Sequence, residues 1–268
     1  MKKSLLPIIV FAAVAGLLAG VFGPAVHTGG SKLKVATTSG PHAEILYAAS
    51  EMAAKDALEI EILEYDDNLK PNALLLAGDV AANSFQSLPY FESVVADRRL
   101  PLVAVAKTVA FPVALYSKKI AHAADLPVMA TVAIPNDPIG GGRALLLLEK
   151  TGLISLRPGT GLQAATTDIV ANPRKISIIE VDAADIARRL PEFDLAALGS
   201  TYAVAGGLVL ARDAIASEGG DSPFPHIIAV HAKDKDNPAV RTLIAAYHSD
   251  HVKDYIGRRF QGAVVATW

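Results

Sequence analysis

At 268 residues, with 51% apolar and 19% charged side chains, the chain is long enough for one large domain or two lobes and too apolar to be disordered. A formal net charge of −2 excludes the broad basic surface that nucleic-acid binding requires. The absence of cysteine excludes disulfides, thiolate metal sites and cysteine nucleophiles. The chain opens with Met1-Lys2-Lys3 and then runs uncharged from Ser4 to Val26, the pattern of a secretory signal. Gly23-Pro24-Ala25 offers small residues at the positions a signal peptidase reads. The uncharged run also approaches the ~20 residues that span a bilayer, so residues 1–31 read as a cleaved signal or an N-terminal membrane anchor plus spacer.

After Gly29-Gly30-Ser31, residues 32–38 read as a strand and 39–42 as a turn. A helix follows over 43–54, with Ile45, Leu46, Ala49 and Met52 on one face. Alternation of apolar and acidic residues over 58–65 predicts a half-buried strand, and 74–76 precede Gly78-Asp79 and a short strand into Ala82. Residues 102–107, 113–116 and 129–134 are strand-like, and 143–150 form a helix with a leucine face. Further short strands fall at 176–181, 195–198 and 227–230, and amphipathic helices at 239–247 and 252–259 close the chain. Strands alternating with helices predict an α/β fold with largely parallel pairing, divided between two lobes.

Three segments carry candidate chemistry. In 134–143, Ile-Pro-Asn-Asp-Pro-Ile-Gly-Gly-Gly-Arg, a strand ends in a Pro/Gly loop and a helix begins with Arg143 in its first turn. Free N–H groups there attract anions, and Gly140 to Gly142 would let a ligand approach the main chain. The helix dipole disfavours a cation at that end, so Arg143 reads as serving a ligand carboxylate, against the alternatives of a solvated arginine or a salt bridge between lobes. In 82–91, Ala-Asn-Ser-Phe-Gln-Ser-Leu-Pro-Tyr-Phe, aromatics beside an Asn/Gln pair suit a pocket wall or an ordinary loop entering a helix. His248 and His251 stand at i, i+3, but no third metal ligand is suggested nearby. No nucleophile elbow is present, and Ser39-Gly-Pro-His42 reads as a loop and helix start; neither a catalytic residue nor a metal site is assigned.

The segments TSGPHAEIL (38–46), ANSFQSLPYF (82–91), YSKKI (116–120), VAIPNDPIGGGRALLLLEKTGLI (132–154), STYA (200–203) and FQGAVVATW (260–268) occur in this order. Together they resemble the NlpA/MetQ family, methionine-binding lipoproteins of ABC importers, and the likeness covers nearly everything after residue 31. It implies a two-lobed, periplasmic-binding-protein type II-like α/β fold with a ligand cleft between lobes. One lobe would hold 32–112 and 228–268, the other 113–227. It further implies no enzyme activity and no cofactor, and a small-molecule ligand, methionine or a related amino acid or short peptide. The partners implied are an ABC permease and its ATPase, at the periplasm or the outer face of the cytoplasmic membrane. Membrane association would run through the permease or an uncleaved N-terminal segment.

By the same resemblance Arg143 matches the arginine that takes the ligand carboxylate, Asn136 lines the cleft, and Phe85 and Tyr90 hold the ligand side chain. Several expected pocket positions depart from the family pattern: Ser87 replaces histidine, Asn68 and Phe111 replace tyrosine, and Gly199 and His226 replace asparagine. Losing one hydrogen bond to a charged group costs ~1.5–3 kcal/mol, roughly tenfold in affinity. Val21 stands where relatives carry the lipid-bearing cysteine, so lipidation there is impossible. The competing functions are an enzyme acting on a small carboxylate and a non-transport sensor on the same scaffold.

Overall fold

The computed structural model describes residues 31–67 and 69–268; the expected signal or anchor segment, with Val21, and the candidate residue Asn68 lie outside the described residues. Strand β1 (Ser31–Thr38) alternates Leu33 and Val35 into the core. Gly40, at φ 86°, makes the turn into α1 (Pro41–Lys55), where a side chain would be strained. Ile45, Leu46, Ala49 and Ala53 of α1 are fully buried, as the 3.6-residue spacing requires. Strand β2 (Leu58–Tyr65) pairs parallel to β1 at the sheet edge, where Glu59 and Glu61 meet Lys32 at 3.1 and 3.0 Å. Residues 74–76 lie inside α2 (Lys70–Ala77), which Gly78 ends in the left-handed region.

The next strand differs from expectation. β3 (Ala82–Ser87) begins where a strand was expected to end, so the segment read as a loop is an inner strand between β1 and the returning chain. Its polar residues stay buried because Asn72, Asn83 and Gln86 hydrogen-bond one another at 2.8–2.9 Å. Helix α3 (Leu88–Arg98) and strand β4 (Leu102–Lys107) complete this part.

A two-residue strand, β5 (Val109–Ala110), leads to the second sheet, built from β6 (Val113–Tyr116), β7 (Thr131–Pro135), β10 (Ser177–Val181), β11 (Leu195–Gly199) and β12 (Ala214–Ser217). Helix α4 (Pro138–Lys150) follows β7, and the small hairpin β8 (Ser155–Leu156) with β9 (Ile169–Ala171) precedes β10. Short helices α5 (Ala183–Arg189), α6 (Ser200–Ala205) and α7 (Leu210–Asp213) fill the remaining connections. Leu145 and Leu148 of α4 pack on Leu115, Val132 and Ile134, a core separate from that under α1.

The chain then returns. β13 (His226–His231) inserts between β3 and β4, giving the order β2-β1-β3-β13-β4, and joins the first sheet from His226 onward. Both sheets are mixed, not largely parallel: β13 is antiparallel to β3 and β4, and β6 is antiparallel to β11 and β12. Chain returns that cross between sheets place these neighbours, and such returns leave no periodic trace. Helices α8 (Pro238–Tyr247) and α9 (Asp250–Phe260) pack against α1, and β14 (Val265–Ala266) pairs with β5. Two lobes result, each with its own sheet and core.

Candidate ligand-binding site

Helix α4 starts at Pro138, five residues earlier than expected, with the Asp137 carboxylate accepting from Gly140 N at 2.7 Å as N-cap. Arg143 therefore sits in the second turn, beyond the strongest part of the dipole penalty. The glycines before it serve packing rather than ligand approach. A Cβ on Gly141 would come within 2.8 Å of the Pro135 carbonyl, and one on Gly142 within 2.7 Å of the Leu162 carbonyl.

The Arg143 guanidinium reaches the two crossovers between the sheets. Its Nε donates to Glu218 Oε1 at 3.0 Å, and its Nη2 donates to Glu218 Oε2 and, at 2.8 Å, to the Phe111 carbonyl. The ring of Phe224 lies 4.6 Å below the guanidinium. Glu218 Oε2 also accepts from Val113 N at 3.2 Å and Ser222 Oγ at 3.3 Å. The two charged side chains are only 14% and 11% exposed, so this is a largely desolvated pair. Arg143 is thus in a salt bridge, with Glu218, which follows β12 of the same sheet rather than belonging to the other one.

Beside this pair lie three clustered rings. Phe111, next to Pro112 at the first crossover, stands 4.9 Å from His226 and 5.2 Å from His42, and the two imidazoles stack at 4.8 Å. His226 Nδ1 is 3.1 Å from the Phe85 carbonyl. A carbonyl only accepts, so Nδ1 carries the proton and Nε2 is the acceptor. Burial pushes His226 down to about 4; the bond to Phe85 opposes this and the nearby Arg143 charge adds to it. Burial likewise holds His42 well below the usual histidine range, with a smaller contribution from His226, and His42 Nδ1 has no partner among the described residues.

The expected site residues divide into two groups. Arg143, Phe111, His226 and the Phe85 backbone come together; Ser87 pairs with His226 across the sheet, and Gly199 pairs with Val113 at the crossover. A Cβ on Gly199 would meet nothing within 4 Å, so space for a longer side chain exists there. Asn136 and Tyr90 lie elsewhere. Asn136 is exposed on the rim of a 210 Å³ cavity with Gly141, Leu145 and Gln163. Tyr90, 42% exposed, lines a depression between α2 and α3 with Leu69, Leu76 and Val94. The Asn/Gln pair of the second segment is taken up by the internal amide network. His248 stacks on Trp268 at 4.9 Å with Nε2 2.7 Å from the Lys107 carbonyl, and His251 lies 3.5 Å from Glu51. Sequence reasoning missed Glu218, Ser222 and Phe224 and gave His42 no binding role. The signal available for Glu218 was a lone acid before Gly219-Gly220, too ordinary to single out.

The sequence profile described as NlpA lipoprotein matches residues 33–268. The D-methionine-binding lipoprotein MetQ of Escherichia coli strain K12 is 38% identical over 239 residues, covering 88% of each chain. Outer membrane lipoprotein 3 of Mannheimia haemolytica is 36% identical over 258 residues, 95% of this chain and 98% of that protein. Among solved structures, a nutrient binding protein from Burkholderia cenocepacia bound to methionine superposes with a TM-score of 0.67 at 42% identity. The match covers 88% of this chain and all of that one, 100%. A periplasmic substrate-binding protein of an ABC transporter from Coxiella burnetii gives 0.68 at 38% identity over 87% and 99% of the two chains. A profile match from the first strand to the final tryptophan, on two sheets joined by crossovers that Arg143 ties together, places the chain in one family: it belongs to the NlpA lipoproteins.

Proposed function

We propose that the chain is the extracytoplasmic solute-binding component of an ABC importer. In this reading it captures methionine, a related amino acid or a short methionyl peptide and delivers it to a permease driven by an ATPase. The observation that carries the reading is the place of Arg143. A shielded guanidinium stands where the two crossovers meet, held rigidly by Glu218 and the Phe111 carbonyl, with its Nη1 free of partners among the described residues. A pre-oriented Nη1 group gives a carboxylate charge-assisted hydrogen bonds with little ordering cost. The names of the relatives, methionine-binding and periplasmic, supply the ligand class and the compartment.

Binding needs no covalent step. The lobe built on the second sheet closes on the lobe built on the first, and the ligand stabilises the closed arrangement by contacts made only there. Phe111, His226, Ser87 and Gly199 surround the Arg143 end of the cleft. Phe85 adds an apolar wall; Asn136, on the turn before α4, and Tyr90, in the first turn of α3, join the cleft only through rearrangement of those segments. Calorimetry and thermal shift with L-methionine, D-methionine and methionyl dipeptides test the reading. Stabilisation by at least one of them is expected, and stabilisation by none, or only by unrelated solutes, removes methionine as the ligand.

A further inference from the structure

The guanidinium that receives the ligand carboxylate already holds one. Its five N–H groups are one on Nε and two each on Nη1 and Nη2. Glu218 and the Phe111 carbonyl take the Nε group and both Nη2 groups, leaving Nη1. A ligand carboxylate on Nη1 therefore shares one positive charge with Glu218. Displacing Glu218 instead would strand a carboxylate that is 11% exposed, with only Val113 N and Ser222 Oγ among the described residues to hold it. The neighbouring imidazoles, His42 and His226, are uncharged at neutral pH and supply no second cation.

Two carboxylates on one guanidinium in a shielded site repel unless a further positive charge arrives with the ligand. We propose that Glu218 is a specificity-determining residue: it makes the Arg143 site select carboxylates that carry an adjacent ammonium, the α-amino acids, over carboxylates that carry none. This rests on the reading of Arg143 as the carboxylate anchor. Glu218 neutralises the anchor, so the site prefers a ligand that is itself neutral overall.

The test is calorimetry on the full chain with L- and D-methionine and with 2-hydroxy-4-(methylthio)butanoate, the same skeleton with a hydroxyl in place of the ammonium. The wild type is expected to bind a methionine at least about tenfold more tightly than the hydroxy acid. Glu218→Gln keeps the side-chain shape and removes the charge, and it is expected to narrow that ratio to about threefold by gaining hydroxy-acid affinity. Equal weakening of both probes, with the ratio unchanged, would mean that Glu218 merely supports Arg143 and overturns the proposal. Equal binding of both probes by the wild type overturns it too, and this comparison decides the matter if thermal melts show the variant unfolded. If the wild type binds neither probe, methionine fails as ligand; the role of Glu218 then stands only on a gain of hydroxy-acid binding in the folded variant, and falls without it.

Discussion

Arg143 and Glu218, 75 residues apart in the chain, form a two-point ion pair that fastens both crossovers between the lobes. The arginine holds the first crossover through the Phe111 carbonyl, and the glutamate holds it through Val113 N. The residue proposed to bind the ligand is here also a structural one, so its removal has two separable consequences.

Arg143→Ala is expected to abolish carboxylate binding and also to destabilise the fold by about 3–5 kcal/mol, because it leaves Glu218 shielded and unpaired. Adding Glu218→Ala should return more than half of that stability without returning binding. Denaturant midpoints and calorimetry on the two variants separate the effects; a single variant as stable as the wild type would disprove the buried-pair account.

Stability should depend on pH through the imidazole stack. His226 is held at about 4 in the folded protein, against about 6.5 when unfolded. Between those values the unfolded chain binds the extra proton, so stability rises with pH across the window and is fully present above about 6.5. It falls as pH drops from 6.5 towards 4, by on the order of 3 kcal/mol for this residue. His42, shifted the same way, adds to the loss. Unfolding midpoints of the wild type and His226→Asn at pH 7 and 4.5 check this; an equal acid loss in both would acquit His226.

The glycines of α4 should differ sharply from Gly199. Gly142→Ala places a methyl 2.7 Å from the Leu162 carbonyl and should cost about 1–3 kcal/mol or shift the helix. Gly199→Ala meets open space at an ordinary φ of −65° and should stay within about 0.5 kcal/mol of the wild type. Thermal or denaturant unfolding of both variants is the measurement, and equal losses would contradict the packing role.

The amide network of Asn72, Asn83 and Gln86 should matter for stability and not for ligand. Gln86→Leu leaves the Asn72 Nδ2 donor without its acceptor, while Asn72 Oδ1 keeps Asn83 Nδ2, and should cost about 1–3 kcal/mol. Ligand affinity by calorimetry should remain within about twofold, since the network is closed on itself. A large change in affinity would place Gln86 in the cleft.

Much of the backbone was legible. The alternation in 58–65 and the leucine face of 143–150 report local periodicity, and local periodicity is set by which neighbours in sequence must be buried. Where burial came on both sides, as in β3, alternation vanished and an inner strand read as a loop. The start of α4 was misplaced because three glycines weaken its helical pattern, while the Asp137 cap and close packing overcome their low propensity.

The site was legible only in part. Family likeness singled out Arg143, and the motif around it is local. Nothing in 134–143 names Glu218, and nothing near residue 42 announces a ring cluster with 111 and 226, because those contacts join segments brought together by chain crossing.

The sequence by itself determined that this is a cysteine-free α/β chain of the NlpA type with an arginine in its most specific motif. The tertiary structure alone decided what that arginine presents. Its charge is balanced by a glutamate from a distant crossover, in a shielded site where water screens the pair little.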